Sequence, residues 1–265
     1  MRLLTIVLIA VWSFVLPGRS VAQAVPPIQA EYSVRWAGIE VGRFHTELRI
    51  DGDRYHLAYQ AMTAGPLRWV SNFHSSGWSL GRMSRSAVEP EHFRGESDWG
   101  EGLRFWRLSF DAAGEVSELV LDAETRADRE PVPAALRRGP DPLSVLLQAM
   151  QQVSAERPFE ATVFDGRRVV ELTLRCSHGQ SPVELASLGP RSRTALQCSV
   201  DGQRIAGRSK RWSESAEGHR QERRPVTTWL VPGIGGLPHW PVRIEAESRF
   251  GLGRVELDRF VGPGA

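Results

Sequence analysis

Lysine and cysteine are scarce in this chain: its 265 residues hold one lysine, Lys210, and two cysteines. Two cysteines cannot build the four-ligand site of a structural zinc, and with no C-x-x-C pair a thiol redox site is excluded. G-x-S-x-G is missing, which removes the nucleophile elbow of an α/β-hydrolase. H-E-x-x-H is missing as well, and the histidines at 45, 56, 74, 92, 178, 219 and 239 include no pair at helical or strand-alternate spacing. Neither G-x-G-x-x-G nor a Walker loop is present, since Gly233-Ile234-Gly235-Gly236 lacks the lysine and the following helix. Beyond residue 16 no run is apolar enough to span a bilayer. No catalytic residue, metal ligand or cofactor is therefore assigned.

A surplus of one charge is also lacking. The chain has 33 basic and 31 acidic residues, a formal charge of +2. Residues 1–24 contain Arg2 and Arg19 and no acid, so without them 31 basic residues face 31 acidic ones. The arginines are scattered among Asp and Glu, with no basic stripe to neutralise a row of phosphates, and nucleic acid is excluded as a partner.

What is present begins with an address. Arg2, the apolar run Leu3 to Leu16, and Ala22-Gln23-Ala24 have the three-part layout of a secretory signal peptide with an A-x-A cleavage site. The run of 14 residues is short of the roughly 20 that a spanning helix needs. The expectation is a signal peptide over 1–24 and a periplasmic product from Val25, not membrane-spanning after cleavage. In that oxidising compartment Cys176 and Cys198 are expected to form a disulfide. Val170, Leu172, Leu174 and Cys176 share one strand parity, and Leu196, Cys198 and Val200 share one in the next run, so both sulfurs face the same interior.

The chain with 41% hydrophobic and 24% charged residues suits a folded protein. Gly42, Phe44, Thr46, Leu48 and Ile50 alternate with polar residues, Asp51-Gly52-Asp53 turns, and Tyr55, Leu57, Tyr59 and Ala61 alternate on the return. Further strands are predicted near Tyr32–Trp36, Phe73–Leu80, Arg104–Phe110, Val116–Leu121, Phe159–Val163, Val170–Cys176, Gly207–Glu214, Val226–Val231, Val242–Ser248 and Arg254–Val261. One helix interrupts them. Asp141 caps it, Pro142 fits its first position, and Val145, Leu146, Ala149, Met150 and Val153 follow at helical spacing to about Ser154. Residues 126–139 are polar, carry Pro131 and Pro133, and read as a loop or linker. The expected fold is mainly β: an antiparallel curved sheet of at least ten strands forming an open or half barrel, with one packed α-helix near residues 141–154. Residues 25–265 are expected to be a single β-rich domain, with lobes 25–130 and 140–265 as the alternative.

Several of these segments resemble one family of exported bacterial proteins, domain of unknown function 3108. They are Ala30-Glu31-Tyr32 followed by Gly38-Ile39-Glu40-Val41-Gly42, the helix start Asp141-Pro142-Leu143-Ser144, the hairpin Phe164-Asp165-Gly166-Arg167-Arg168, and Leu237-Pro238 through Pro241-Val242-Arg243-Ile244 to Gly251. The resemblance implies a periplasmic, β-rich protein and supplies no catalytic residues.

Two groups of residues remain as site candidates. Trp69, Trp78, Trp99 and Trp106 are the ligand-binding candidates, because a curved, incompletely closed sheet can line a pocket with aromatics. Asp98 and Glu101 flank Trp99 on a glycine-bounded stretch and are the carboxylates a glycan hydrolase would use, although an exposed hairpin turn accounts for them more simply. His74-Ser75-Ser76 places a base beside two hydroxyls, but neighbours on a strand face opposite ways. The favoured function is a non-catalytic envelope protein binding an amphiphilic or glycan-containing ligand, a lipid, a glycolipid or another envelope protein. A periplasmic glycan hydrolase and a pocketless scaffold recognising partners by its sheet edges are the alternatives.

Overall fold

The alternation of apolar and polar residues is realised as strand after strand in the computed structural model, which describes residues 26–100, 102–179, 194–210, 226–248 and 251–263. The signal-peptide segment and Val25 lie outside the described residues, as do Glu101 and residues 180–193 between the cysteines. The first half of the chain forms β1 (Ile28–Trp36), β2 (Ile39–Asp51), β3 (Arg54–Thr63), β4 (His74–Met83), β5 (Val88–Asp98), β6 (Leu103–Phe110) and β7 (Val116–Leu121). Two helices, α1 (Ala123–Asp128) and α2 (Pro142–Gln152), follow. The second half forms β8 (Phe159–Phe164), β9 (Val169–His178), β10 (Leu196–Ala206), β11 (Val226–Pro232), β12 (His239–Ser248) and β13 (Gly251–Val261).

All thirteen strands make one antiparallel sheet in the order β7-β6-β5-β4-β3-β2-β1-β13-β12-β11-β10-β9-β8. Each half is a meander of strands paired with their chain neighbours, and the halves join where β1 pairs with β13, Ala30 opposite Phe260 and Val34 opposite Val255. The sheet curls but does not close, because β7 and β8 do not pair. The expected mainly β, open-barrel architecture is what forms.

Between those two edges runs the segment read as a linker. Arg138 bridges to Glu115 just before β7, and the Phe164 N–H at the end of β8 donates to the Pro140 carbonyl. Gly139, at φ +95°, lies so close to β8 that a Cβ would meet the Thr162 carbonyl oxygen at 2.4 Å. The segment therefore acts as a short stave laid across the open seam.

The helix inside the curl is held at both ends. Asp141 Oδ1 accepts from the Leu143 and Ser144 N–H groups at 2.9 and 3.1 Å, and Pro142 occupies the first turn, where no donor is missed. Its N-terminus can approach β4 because that strand turns only Ser75, Gly77, Ser79 and Gly81 inward. At the other end Gln151 and Gln152 donate to the Ser84 and Ser86 carbonyls in the β4–β5 turn. Helix α2 divides the core. Leu143, Leu147 and Met150 pack into a large cluster that spans both halves, from Leu48, Leu57 and Leu108 to Phe164, Val231 and Trp240, whereas Val145, Ala149 and Val153 pack with Phe159, Leu174, Leu196, Cys198 and Leu230 of the second half.

Three local expectations need correction. Strand β5 was not anticipated; it takes in Glu96 and Asp98, so only the residues after them form the turn. The run from Gly207 is not a strand as far as it is described: β10 ends at Ala206, Gly207 takes φ +78°, and Ser209 makes one isolated bridge to Arg129. Residues 126–128, read as the start of a loop or linker, belong to α1, which forms because Asp122 caps it through the Thr125 N–H.

Candidate functional site

Side chains of β1–β3, β8–β13 and α2 surround a cavity of about 470 Å3. Phe44, Leu48 and Leu57 form one flank, Leu172, Leu174, Val200 and Leu230 the other, and Val145, Leu146 and Met150 of α2 face both. Ile244 lines the cavity yet is 37% exposed, so the space reaches solvent there.

The few polar groups in the wall are mostly spent on the protein itself. The Tyr32 hydroxyl accepts from Trp240 Nε1 and donates to the Pro241 carbonyl, both at 2.9 Å. Burial pushes its ionisation well above the usual phenol range, so it stays a donor. Thr228 donates to the Arg243 carbonyl, and Arg168 Nε donates to Asp165 Oδ2 at 2.8 Å. Thr46 Oγ1 is the buried wall hydroxyl that finds no partner among the described residues. Such a space offers dispersion contacts and almost no directional recognition.

Below the helix start lies a buried polar cluster. Ser79 and Ser144 both donate to Asp141 Oδ2, and the Tyr55 hydroxyl lies 2.8 Å from Ser144 Oγ and 3.1 Å from Ser79 Oγ. Burial raises the Asp141 carboxyl above its ordinary value, against the lowering effect of these hydrogen bonds. The four side chains are buried and none of them lines the 470 Å3 cavity, so their work is to seat the helix.

The four tryptophans do not come together. Trp106 is 4% exposed, facing inward on β6, where its ring covers Gly95 and carries the Arg167 guanidinium at 3.6 Å. Trp78 lies on the opposite face of the sheet beside His56. Trp69 and Trp99 are outside, 89% and 60% exposed, with Trp99 4.3 Å from Phe73. None of the four lines the 470 Å3 cavity; its aromatic residues are Tyr32, Phe44 and Trp240. The signal that could have found two of these was present, since Tyr32 faces Phe44 across the β1–β2 pair. Trp240 has no such local cue.

Asp98 is a turn residue: its Oδ1 accepts from the Gly100 N–H at 2.7 Å and lies 3.4 Å from the Gly102 N–H. Glu101 lies outside the described residues. Ser75 and Ser76 point to opposite faces, Ser75 donating to the Glu96 carbonyl and Ser76 to the Glu96 carboxylate. Among the described residues no three His, Cys, Asp or Glu side chains gather to hold a metal, and no helix is long and apolar enough to cross a membrane. Cys198 and Cys176 are directly opposite in the β9–β10 register with their sulfurs at bonding distance, 2.03 Å. Cys198 is fully buried and Cys176 packs against the same cluster.

A curled antiparallel sheet, open along one seam and wedged by an internal helix, defines a β-barrel-like class of protein. The chain belongs to the family described as protein of unknown function (DUF3108), whose model matches residues 31–258. Among solved structures it is similar to a β-barrel-like protein of domain of unknown function DUF1849 from Brucella abortus, with a TM-score of 0.51 and 10% identity over 89% of this chain and 97% of that one. At that identity the likeness speaks for the fold alone. A search of curated proteins gave no match.

Proposed function

We propose that this is an exported, non-catalytic envelope protein that takes the hydrocarbon part of an amphiphilic molecule, such as a lipid or glycolipid, into the cavity beside α2. One observation carries the reading: about 470 Å3 of space bounded almost wholly by aliphatic and aromatic side chains, within the roughly 300–1,000 Å3 usual for small-molecule sites. Export is supported by the signal-peptide layout of residues 1–24, and the Cys176–Cys198 pair suits the periplasm. A glycan hydrolase is less well supported, because Asp98 is occupied with its own turn.

The test is native mass spectrometry of protein purified from the periplasm, before and after extraction with organic solvent. An apolar adduct that extraction removes is expected. The extracted protein should bind the neutral fluorophore 1-N-phenylnaphthylamine, and Leu172→Trp, which narrows the cavity, should weaken that binding. Absence of any adduct together with equal dye binding by the variant would overturn the reading.

A second reading concerns partners. Trp69, Val70, Trp99 and Leu103 are exposed by 89%, 82%, 60% and 58%. Large apolar side chains so exposed are where another envelope protein or a lipid surface makes contact. Paired Trp69→Ala and Trp99→Ala substitutions would leave dye binding intact and reduce binding to vesicles of phosphatidylethanolamine and phosphatidylglycerol; unchanged vesicle binding would refute it.

A further inference from the structure

The residues of the hairpin Asp165-Gly166-Arg167-Arg168 divide between two spaces. Asp165 and Arg168 line the apolar cavity, whereas Gly166 and Arg167 line a second pocket of about 260 Å3 between β7, α1 and the segment 129–137. Four arginines line this second pocket, Arg126, Arg129, Arg137 and Arg167, against one carboxylate, Glu130.

How those arginines are held sets them apart. Elsewhere on the sheet guanidinium groups meet carboxylates, as in Arg54–Glu91 at 2.6 Å and Arg243–Glu256 at 2.6 Å. Here the fixed partners are neutral. Arg129 donates to the Gly207 carbonyl at 3.2 Å, Arg137 to the Val132 carbonyl at 2.9 Å and Arg126 to the Leu121 carbonyl at 3.4 Å. Arg167 lies flat on Trp106, and its Nε is buried with no hydrogen-bond partner among the described residues. Its nearest carboxylate, Asp165, is already committed: Oδ1 accepts the Arg167 and Arg168 N–H groups and Oδ2 takes Arg168 Nε at 2.8 Å, leaving Arg167 at 3.9 Å. Carbonyls and a ring orient these cations without cancelling their charge. Burial above all lowers the pKa of both guanidiniums; the neighbouring arginine charges add to it, against the raising effect of Asp165 on both and of Asp128 on Arg129.

We infer that this pocket binds a phosphate-type oxyanion, held by Arg167 and Arg129 with Arg126 and Arg137 at its margin. Guanidinium forks match phosphate oxygens in pairs, and a tetrahedral anion carrying more than one charge can bridge several of them where a single carboxylate cannot. Two sources share this chemistry: free phosphate, and the phosphate of a lipid headgroup whose chains occupy the neighbouring cavity. The second source rests on the lipid reading above; the site itself does not.

Isothermal titration calorimetry on the delipidated full-length mature protein separates them, using inorganic phosphate, dihexanoyl phosphatidic acid and the uncharged dihexanoylglycerol. Arg167→Gln is the principal variant, and Arg126→Gln, at an exposed position, is the second in case the first unfolds the turn. Binding of inorganic phosphate that falls at least tenfold in the variants identifies a free-anion site. Preference for phosphatidic acid over dihexanoylglycerol that disappears in the variants identifies the headgroup. Binding of inorganic phosphate with neither dihexanoyl compound bound would sink the lipid reading and leave this site standing. If neither phosphate compound binds, or folded variants bind both as the parent does, the inference is overturned.

Discussion

Replacing Asp141 by alanine should detach α2 from the sheet. The carboxylate accepts four hydrogen bonds, two from the Leu143 and Ser144 N–H groups and two from the Ser79 and Ser144 hydroxyls. The hydroxyls lose least, because Ser79, Ser144 and Tyr55 remain within about 3 Å of one another. The two backbone donors are stranded. Loss of an N-cap costs about 0.5–2 kcal/mol, and each buried group left unsatisfied costs roughly 1–3 kcal/mol, so an overall loss of about 3–5 kcal/mol is expected. For a protein of this size that lowers Tm by about 6–20 °C, measurable by differential scanning calorimetry. Asp141→Asn keeps an oxygen for the two N–H groups and should cost only about 1 kcal/mol. The pair also separates in pH dependence. Because burial raises the folded-state pKa of Asp141, the folded protein holds that proton more tightly than the unfolded chain does. Its contribution to stability is present at low pH and is lost as pH rises from the unfolded carboxylate value near 4 through the raised value. Glu47 acts oppositely, lowered by the Gln29 hydrogen bond, so its contribution fades as pH falls. Asp141→Asn should therefore flatten the decline of stability above pH 4. A loss below 1 kcal/mol in Asp141→Ala, or the same pH profile in parent and Asp141→Asn, would refute this account of the helix seat.

Four further outcomes are expected. Gly95→Ala puts a Cβ 2.4 Å from the Trp106 ring, and such overpacking should cost about 1–3 kcal/mol, read from urea unfolding; a neutral result would show that Trp106 is not fixed where it carries Arg167. Reduction of Cys176–Cys198, which closes a separation of 22 residues, should cost about 3 kcal/mol, and neither thiol should react with iodoacetamide until reductant is added. Limited proteolysis should yield no pair of stable fragments cut near residue 135, since the segment 129–140 is bonded to both sheet edges; two such fragments would favour separate lobes. N-terminal sequencing of exported material should begin at Val25, and an intact Met1 in the membrane fraction would contradict export.

Much of the fold is local in origin, and that part was legible. Phe44, Thr46 and Leu48 alternate because one face of β2 is buried, Asp141-Pro142 places both capping oxygen and first-turn proline, and Asp165-Gly166 turns because the Asp165 carboxylate collects the next two free N–H groups. Strand β5 was hidden because Glu89, Pro90 and Glu91 break any simple alternation; Pro90 sits where the register shifts against Gly81, the kind of irregularity that tolerates proline. On β4 the parity that faces inward is the small one, so the conspicuous residue, Trp78, is on the wrong side. The cavity was illegible for a different reason. Tyr32 meets Trp240 only because β1 pairs with β13, a join between chain ends that no window of neighbouring residues records.

The size of the cavity bears on whether it can stand empty. The cavity reaches solvent at Ile244, so the roughly 24 cal/mol per Å3 of a sealed dry void, about 11 kcal/mol for 470 Å3, is an upper bound on what standing empty would cost. Water that enters past Ile244 is poorly held at the inner wall, because a buried water needs about three hydrogen-bond partners, whereas Tyr32, Thr228, Asp165 and Arg168 are already engaged and Thr46 offers a spare hydroxyl. The remaining ways to remove the penalty are collapse of the two flanks onto each other or occupation by an apolar chain. Collapse is opposed by α2, tied to β4 through Asp141 and to the β4–β5 turn through Gln151 and Gln152, with one core cluster on each side of it. A helix braced at both ends inside an unclosed sheet thus keeps apart walls that would otherwise meet, and the ligand proposed above is one whose hydrocarbon would cover that apolar surface.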